Sequence, residues 1–324
     1  IRYLSSTKIL INLIGNNVFK IKYETLLYDV FEETKYYIFP YLSCFYKLQR
    51  FSLYHGSGIS STHIFLDKPF WNYIVRLTIL DYTGLNKSQY LFNLSKRNFK
   101  YQIIGIPNHF YEKINLVNSK STTISELKKT LNLNEETKLI TLTSRPDDNT
   151  FCSSDDRNIY LKAIGNYLEK NKSWHLLIRA HPKEKAYSKE IWASLLGVSL
   201  KHNNFSITKK SPLELASISD LGFSFVSTCC IDFASFGTPM IELTSLNKTK
   251  FTHLTTYFSC DGYPLTAEAF HQLTINVKHI GELNLIFNDL KNNLESYSKI
   301  VELAYKNCYG LQSYSRGKFL ELMQ

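Results

Sequence analysis

Leu176-Leu177-Ile178-Arg179-Ala180-His181-Pro182-Lys183-Glu184 begins as a run of branched apolar residues and breaks into cations, an imidazole and a proline. A short apolar run bounded by polar residues predicts a strand buried on both faces. Leu221 to Val226 repeats the arrangement and ends in Ser227-Thr228-Cys229-Cys230-Ile231-Asp232. Lys138 to Thr143 does the same earlier, ending in Ser144-Arg145-Pro146-Asp147-Asp148-Asn149. Helical patterns lie between: residues 155–171 carry apolar Ile159, Leu161, Ile164, Tyr167 and Leu168, and 185–196 and 212–218 read the same way. Strands alternating with helices of this length predict βαβ units and a parallel sheet. Ligands bind such sheets beyond the carboxyl ends of the strands, which selects these three polar strand ends together.

Outward from this region, strands are expected over 205–208 and 240–243, and helices from 231, over 266–275 and over 283–306. Toward the N-terminus the expectations are a strand over 7–14, an amphipathic helix over 23–34 and an aromatic-rich core element over 36–54. Residues 72–81 read as a buried helix or strand, and 102–106 as a short strand stopped by Pro107. The polar stretch from 107 to 123 reads as an interdomain crossing, followed by a helix from Ser125 to Leu133 capped by Thr122 or Thr123. The expected division is an acceptor-side domain over 1–120 and a nucleotide-donor domain over 121–324, its last helix packing back on the first. The chain begins at Ile1 rather than Met, and its short first half suggests that native residues precede it.

Composition limits the function classes. With 324 residues and 44% apolar content the chain can build a substantial core, and 13 Gly and 8 Pro leave no low-complexity linker. A net charge of +10 fits either a Lys-rich solvated surface or attraction to a nucleotide diphosphate, an acidic glycan or an anionic membrane face. Zinc-finger spacing, an Arg-rich helix and an aromatic RNA-binding signature are all missing, so nucleic acid is not an expected partner. Cysteines 44, 152, 229, 230, 260 and 308 match neither a metal site nor a disulfide framework and read as reduced thiols of a cytoplasmic protein. No apolar run reaches the roughly 18 residues of a membrane span.

The strand ends carry chemistry of one kind. Arg179, His181 and Lys183 put cations and an imidazole where negative charge would build on a leaving phosphate, and Pro182 fixes the turn. A basic surface turn would look the same. Ser227 and Thr228 precede a helix start, where hydroxyls and free N–H groups form either an anion site or a simple cap. Asp232, one turn on, suits ribose hydroxyls or merely the helix dipole. Ser144 and Arg145 join the donor side. Asp147 and Asp148 suit a base or nucleophile, or a solvated turn. With no Asp-x-Asp after a strand, a metal-independent site is expected, and no cofactor beyond the nucleotide of the substrate. In the first half, His55-Gly56-Ser57-Gly58 makes His55 an acceptor-side base candidate or a structural turn residue, with His63, Asp81 and His109 weaker candidates.

Arg179-x-His181-Pro182, then Ser219-Asp220, then Ser227-Thr228-x-x-x-Asp232-Phe233-Ala234-x-x-Gly237-x-Pro239 resembles the C-terminal half of GT-B glycosyltransferases. The pattern is similar to that of bacterial surface-polysaccharide enzymes: CDP-glycerol glycerophosphotransferases, capsule-type Kdo transferases and sialyltransferases with a His-Pro motif. It is specific over 176–243, looser over 138–150, and rests on His55-Gly56 in the first half. The resemblance implies an α/β GT-B fold, two Rossmann-like domains whose parallel sheets face a cleft. It further implies a nucleotide-sugar donor (CMP, CDP or UDP moiety) held by His181 and Ser227/Thr228, and a glycan or glycolipid acceptor. The sialyltransferase Asp/Glu-Asp-Gly motif is not evident, Val226-Ser227-Thr228-Cys229 replaces the glycerophosphotransferase Asp-Tyr-Ser-Ser, and many GT-B enzymes carry Glu in place of Asp232. The expected activity is metal-independent transfer of a CMP-linked acidic sugar, such as Kdo or sialic acid, to capsule or lipopolysaccharide, with peripheral contact at the inner membrane face. Alternatives are polyol-phosphate transfer from CDP-glycerol, a non-hydrolysing sugar-nucleotide epimerase, and a non-catalytic glycan-binding or scaffold protein.

Overall fold

The computed structural model describes strands at 25–29, 49–53, 77–81 and 100–103, and then residues 107–146, 152–182, 184, 187–200, 204–244, 257–277 and 279–310. The chain divides into two compact units, Ile1–Gly105 with Gln312–Gln324, and Ile106–Leu311.

In the first unit β1 (Thr25–Asp29), β2 (Gln49–Leu53), β3 (Leu77–Asp81) and β4 (Lys100–Ile103) form a parallel sheet in that order. The helix expected over 23–34 is therefore wrong at its centre. Leu26, Leu27 and Tyr28 satisfy a helical face or a buried strand equally well over so short a run, and pairing of Thr25 through Asp29 with Gln49 through Leu53 decides for the strand. The expected strand over 7–14 and the His55 loop lie outside the described residues.

The second unit opens with α1 (Pro107–Thr130) and continues β5 (Lys138–Thr143), α2 (Ser154–Lys170), β6 (Trp174–Arg179), α3 (Lys189–Leu196), β7 (Phe205–Ile207), α4 (Pro212–Ile218), β8 (Leu221–Ser224), α5 (Cys229–Ser235) and β9 (Met240–Leu243). A small hairpin of β10 (Tyr257–Phe258) and β11 (Pro264–Leu265) follows, then α6 (Ala267–Phe270), β12 (Ile275–Val277) and the long α7 (Ile280–Tyr305). Six strands make one parallel sheet in the order β12-β9-β8-β5-β6-β7. Strand order reverses between β5 and β8, so the crevice of such a sheet opens beyond the ends of these two and β6.

Local chemistry starts and stops the helices where the sequence signals lie. Ser153 accepts from Asp156 N and begins α2, with Asp155 and Asp156 in the first turn facing the helix dipole. Ser211 and Glu214 close a reciprocal capping box on α4, and Pro212 takes the first helical position. At the end of α3, Gly197 adopts φ 68°. The core packs one face of the sheet against α2, α3 and α7. Ile140, Leu142, Leu176, Ile178 and Phe223 are fully buried against Leu161, Ile164 and Leu168 of α2 and Leu283, Phe287 and Leu290 of α7. Gly165 brings α2 against the end of α3, since a Cβ there would stand 1.9 Å from the Leu196 carbonyl oxygen.

Two further expectations are corrected. The polar stretch from Pro107, expected as an interdomain crossing, is helical and belongs to α1, which Pro107 opens. Lys113 of α1 donates to the Ser235 carbonyl and lies over the Phe236 and Tyr305 rings at 5.3 and 5.7 Å, so the helix belongs to the second unit, which begins at Ile106. The helix expected over 266–275 is a single turn. Gln272 at φ 61° ends it, and Ile275 joins the sheet beside Ile241.

Candidate functional site

The polar strand ends of the second unit converge at the reversal point of its sheet. From β5 come Ser144 and Arg145; from β6, Arg179 through Pro182 and then Glu184; from β8, Phe225 through Thr228, leading into α5. Backbone bonds hold the ends in line: Ser144 N donates to Arg179 O at 2.9 Å, and Thr208 N to Ile178 O at 2.9 Å.

His181 is half-buried at the head of a turn. Glu184 N donates to the His181 carbonyl at 2.8 Å, and the His181 N–H donates to Glu184 Oε2 at 3.2 Å. Pro182 is exposed beside it. Arg179 donates through Nε to Lys210 O at 3.0 Å, tying β6 to the segment before α4, and its positive charge reaches the Cys229 thiol. Burial nevertheless pushes that thiol up, which makes Cys229 a poor nucleophile at neutral pH. Ser227 Oγ accepts from Cys229 N at 3.3 Å. Thr228 sits at the helix start with helical dihedrals and makes no side-chain cap bond, so of the two hydroxyls Ser227 does the capping and Thr228 faces outward, exposed. Asp232 is half-buried in the first turn of α5, where its charge is felt by both Cys229 and Tyr305.

Two residues expected to contact the donor have partners within the protein. Ser144 is 4% exposed and donates to Glu184 Oε1 at 3.0 Å. Arg145 donates through Nη1 to the Val226 carbonyl, and so pins the β8 end where Val226 takes φ 44°. A β-branched residue in that left-handed region is strained, and the clamp from Arg145 holds it there. Asp147, Asp148, Lys183 and His55 lie outside the described residues. Among the described residues no group of three or more His, Cys, Asp or Glu side chains is placed to hold a metal ion, and no helix is long and apolar enough to cross a membrane.

No protein-family model and no curated protein matches the sequence. Solved structures do match in fold. A UDP-GlcNAc 2-epimerase from Neisseria meningitidis bound to UDP-GlcNAc superposes with a TM-score of 0.59 at 16% identity, over 94% of this chain and 80% of that one. A glycosyltransferase from Rickettsia africae gives 0.56 at 14% identity over 100% and 83%, and the wall teichoic acid polymerase TagF gives 0.53 at 15% over 85% and 68%. The fold is α/β, of the GT-B type.

Sequence reasoning missed a buried ion pair. Arg157 Nη2 meets Glu184 Oε1 at 2.9 Å, with side chains 4% and 1% exposed, and its guanidinium lies 5.9 Å from the Phe225 ring. Burial pushes the Glu184 carboxyl up, while the bonds from the His181 N–H, Ser144 and Arg157 oppose it. A signal existed: Arg157, Leu161, Ile164 and Leu168 share one helical face, so an arginine begins the buried stripe of α2 and demands a carboxylate nearby.

Glu242 was missed as well. It is 1% exposed near the end of β9, and its Oε2 accepts from Thr266 at 2.5 Å and Thr274 at 3.3 Å. Burial, with the charge of Glu268 adding to it, raises its carboxyl from an ordinary 4.5 to about 8. Because the folded-state value lies above the unfolded one, the folded protein holds an extra proton between pH 4.5 and 8. The associated stability is complete below the lower value and is lost as pH rises through the upper one, about 2 kcal/mol between roughly pH 6 and 8. Glu242→Gln keeps a carbonyl for both threonines and removes the titration. Its melting temperature should gain on the wild type steadily from about pH 6 to about pH 8.5, by several degrees in all. Parallel melting curves for the two proteins across that range would contradict the assignment.

Proposed function

We propose that this chain is a metal-independent GT-B transferase that moves a glycosyl group from a nucleotide-activated donor to a cell-surface glycan. One observation carries the reading: Arg179, His181, Ser227, Thr228 and Asp232 gather beyond the strand ends at the reversal point of a parallel sheet, in a fold shared with sugar-nucleotide proteins. In this reading His181 donates a hydrogen bond or proton to the leaving phosphate as its charge develops. Arg179, with Nε engaged by Lys210 O, offers its terminal nitrogens, and Lys183 adds charge. Thr228 and Ser227 bind phosphate, and Asp232 accepts from ribose. Asp147, Asp148 or His55 takes the acceptor proton. A CMP-linked acidic sugar is the proposed donor, with CDP-glycerol as the same-class alternative. A net charge of +10 supports peripheral attraction to an anionic membrane carrying the acceptor.

A second reading, isomerisation of a free UDP-sugar, has the fold similarity to the epimerase in its favour. Melting scans with CMP, CDP-glycerol, CMP-Kdo and UDP-GlcNAc separate these readings. One nucleotide class should stabilise by about 2–3 kcal/mol at a hundredfold excess over its Kd, with turnover only when a glycan acceptor is present. Turnover of UDP-GlcNAc without acceptor would favour the epimerase. No shift with any of the four would sink both and leave a glycan-binding or scaffold protein.

A further inference from the structure

The turn that carries His181 is gripped from beneath by one carboxylate with three donors. Glu184 Oε2 takes the His181 N–H at 3.2 Å; Oε1 takes Arg157 Nη2 at 2.9 Å and Ser144 Oγ at 3.0 Å. Through these bonds, and through Arg157 against Phe225, the ends of β5, β6 and β8 all meet one residue of α2. A buried ion pair contributes little net stability compared with apolar residues of the same size, so a fold that only needed filling would not require one. A carboxylate does offer something apolar side chains and amides lack, namely acceptor capacity on both oxygens. Glutamine at this position would turn an NH₂ either toward the His181 N–H or toward Arg157, donor against donor.

We infer that Arg157 and Glu184 are a positioning pair, which sets the geometry of the His181–Glu184 turn, and with it the imidazole, without touching substrate. The inference rests on the transferase reading for its consequence in catalysis, but the placement of the ring can be read without any activity. The test uses the full chain with ¹³C-labelled histidine, the His181 imidazole signal being assigned by its loss in His181→Ala. Arg157→Lys, Arg157→Met and Glu184→Gln are compared with the wild type, each first shown to melt cooperatively. Glu184→Gln and Arg157→Met should displace the His181 signal, and Arg157→Lys, which keeps the charge and one bond, should restore it most of the way. If Arg157→Met does not fold, Glu184→Gln reads the displacement and Arg157→Lys serves as the conservative control.

Titration of that signal with CMP and with UDP gives the second readout. Apparent nucleotide affinity should change by less than about tenfold in Glu184→Gln, as in His181→Ala, while turnover of the identified donor falls about 10–100-fold, the scale on which activity responds to loss of an orienting partner in metal sites. Folded Glu184→Gln with a His181 signal identical to the wild type would overturn the positioning role. A displaced signal in a protein whose wild type ignores both nucleotides would uphold it and remove the donor-site reading instead.

Discussion

Arg157→Ala should lower the unfolding free energy by about 3–5 kcal/mol, the loss found when one partner of a buried ion pair is removed. The Glu184 side chain is 1% exposed, so its carboxylate would be left in the interior with only Ser144 and the His181 N–H. Protonation offers a partial escape, since burial already pushes that carboxyl up. The truncation also leaves a gap against Phe225. Pairing Arg157→Met with Glu184→Gln removes both charges while keeping the volume, and should recover more than half of the loss. Urea unfolding of wild type, single and double variants measures this directly. A single-variant loss below about 1 kcal/mol would mean that the pair is no tighter than an exposed one.

The second large effect concerns turnover. With the donor identified by melting scans, His181→Ala should reduce kcat by about 10²–10⁴-fold, the range for a positioned proton or hydrogen-bond donor acting on developing charge. Nucleotide affinity should change much less, because Arg179 and the Ser227–Thr228 segment still face the phosphates. The stability cost should be small, as the ring is only half-buried and the turn is held through the backbone N–H and carbonyl, which alanine keeps. Near-normal turnover of the alanine variant would end the proposed mechanism, whatever nucleotide binds.

Much of the second unit was legible because its signals are local. Pro212–Ile218 and Met240–Leu243 fall where a capping box and a short apolar run place them. The convergence of three strand ends followed from βαβ alternation alone. What escaped notice depends on partners distant in sequence. Ser144 looked like a ligand contact because it follows a strand, yet a carboxylate 40 residues later takes its hydroxyl. Arg145 was also placed on the donor side, and the carbonyl of Val226, 81 residues later, takes one of its guanidinium nitrogens. Glu242 is one polar residue in an apolar strand, and its bonds from Thr266 and Thr274, distant in sequence, explain why it is tolerated there. In the first unit the three apolar residues Leu26, Leu27 and Tyr28 carried too little periodicity to tell strand from helix.

The strand order of the second sheet also governs how the chain emerges during synthesis. β5 is central, with β6 on one side and β8 on the other, and β8 begins only at Leu221. At about 5–20 residues per second, the interval from β5 to β8 leaves one edge of the central strand bare for several seconds. That edge is a run of Leu139, Ile140 and Leu142, a template on which a second nascent chain could pair. Capture of Leu221–Ser224 closes it and passes the bare position to β8 until Met240–Leu243 pairs there, so the exposed edge moves outward with each strand that arrives.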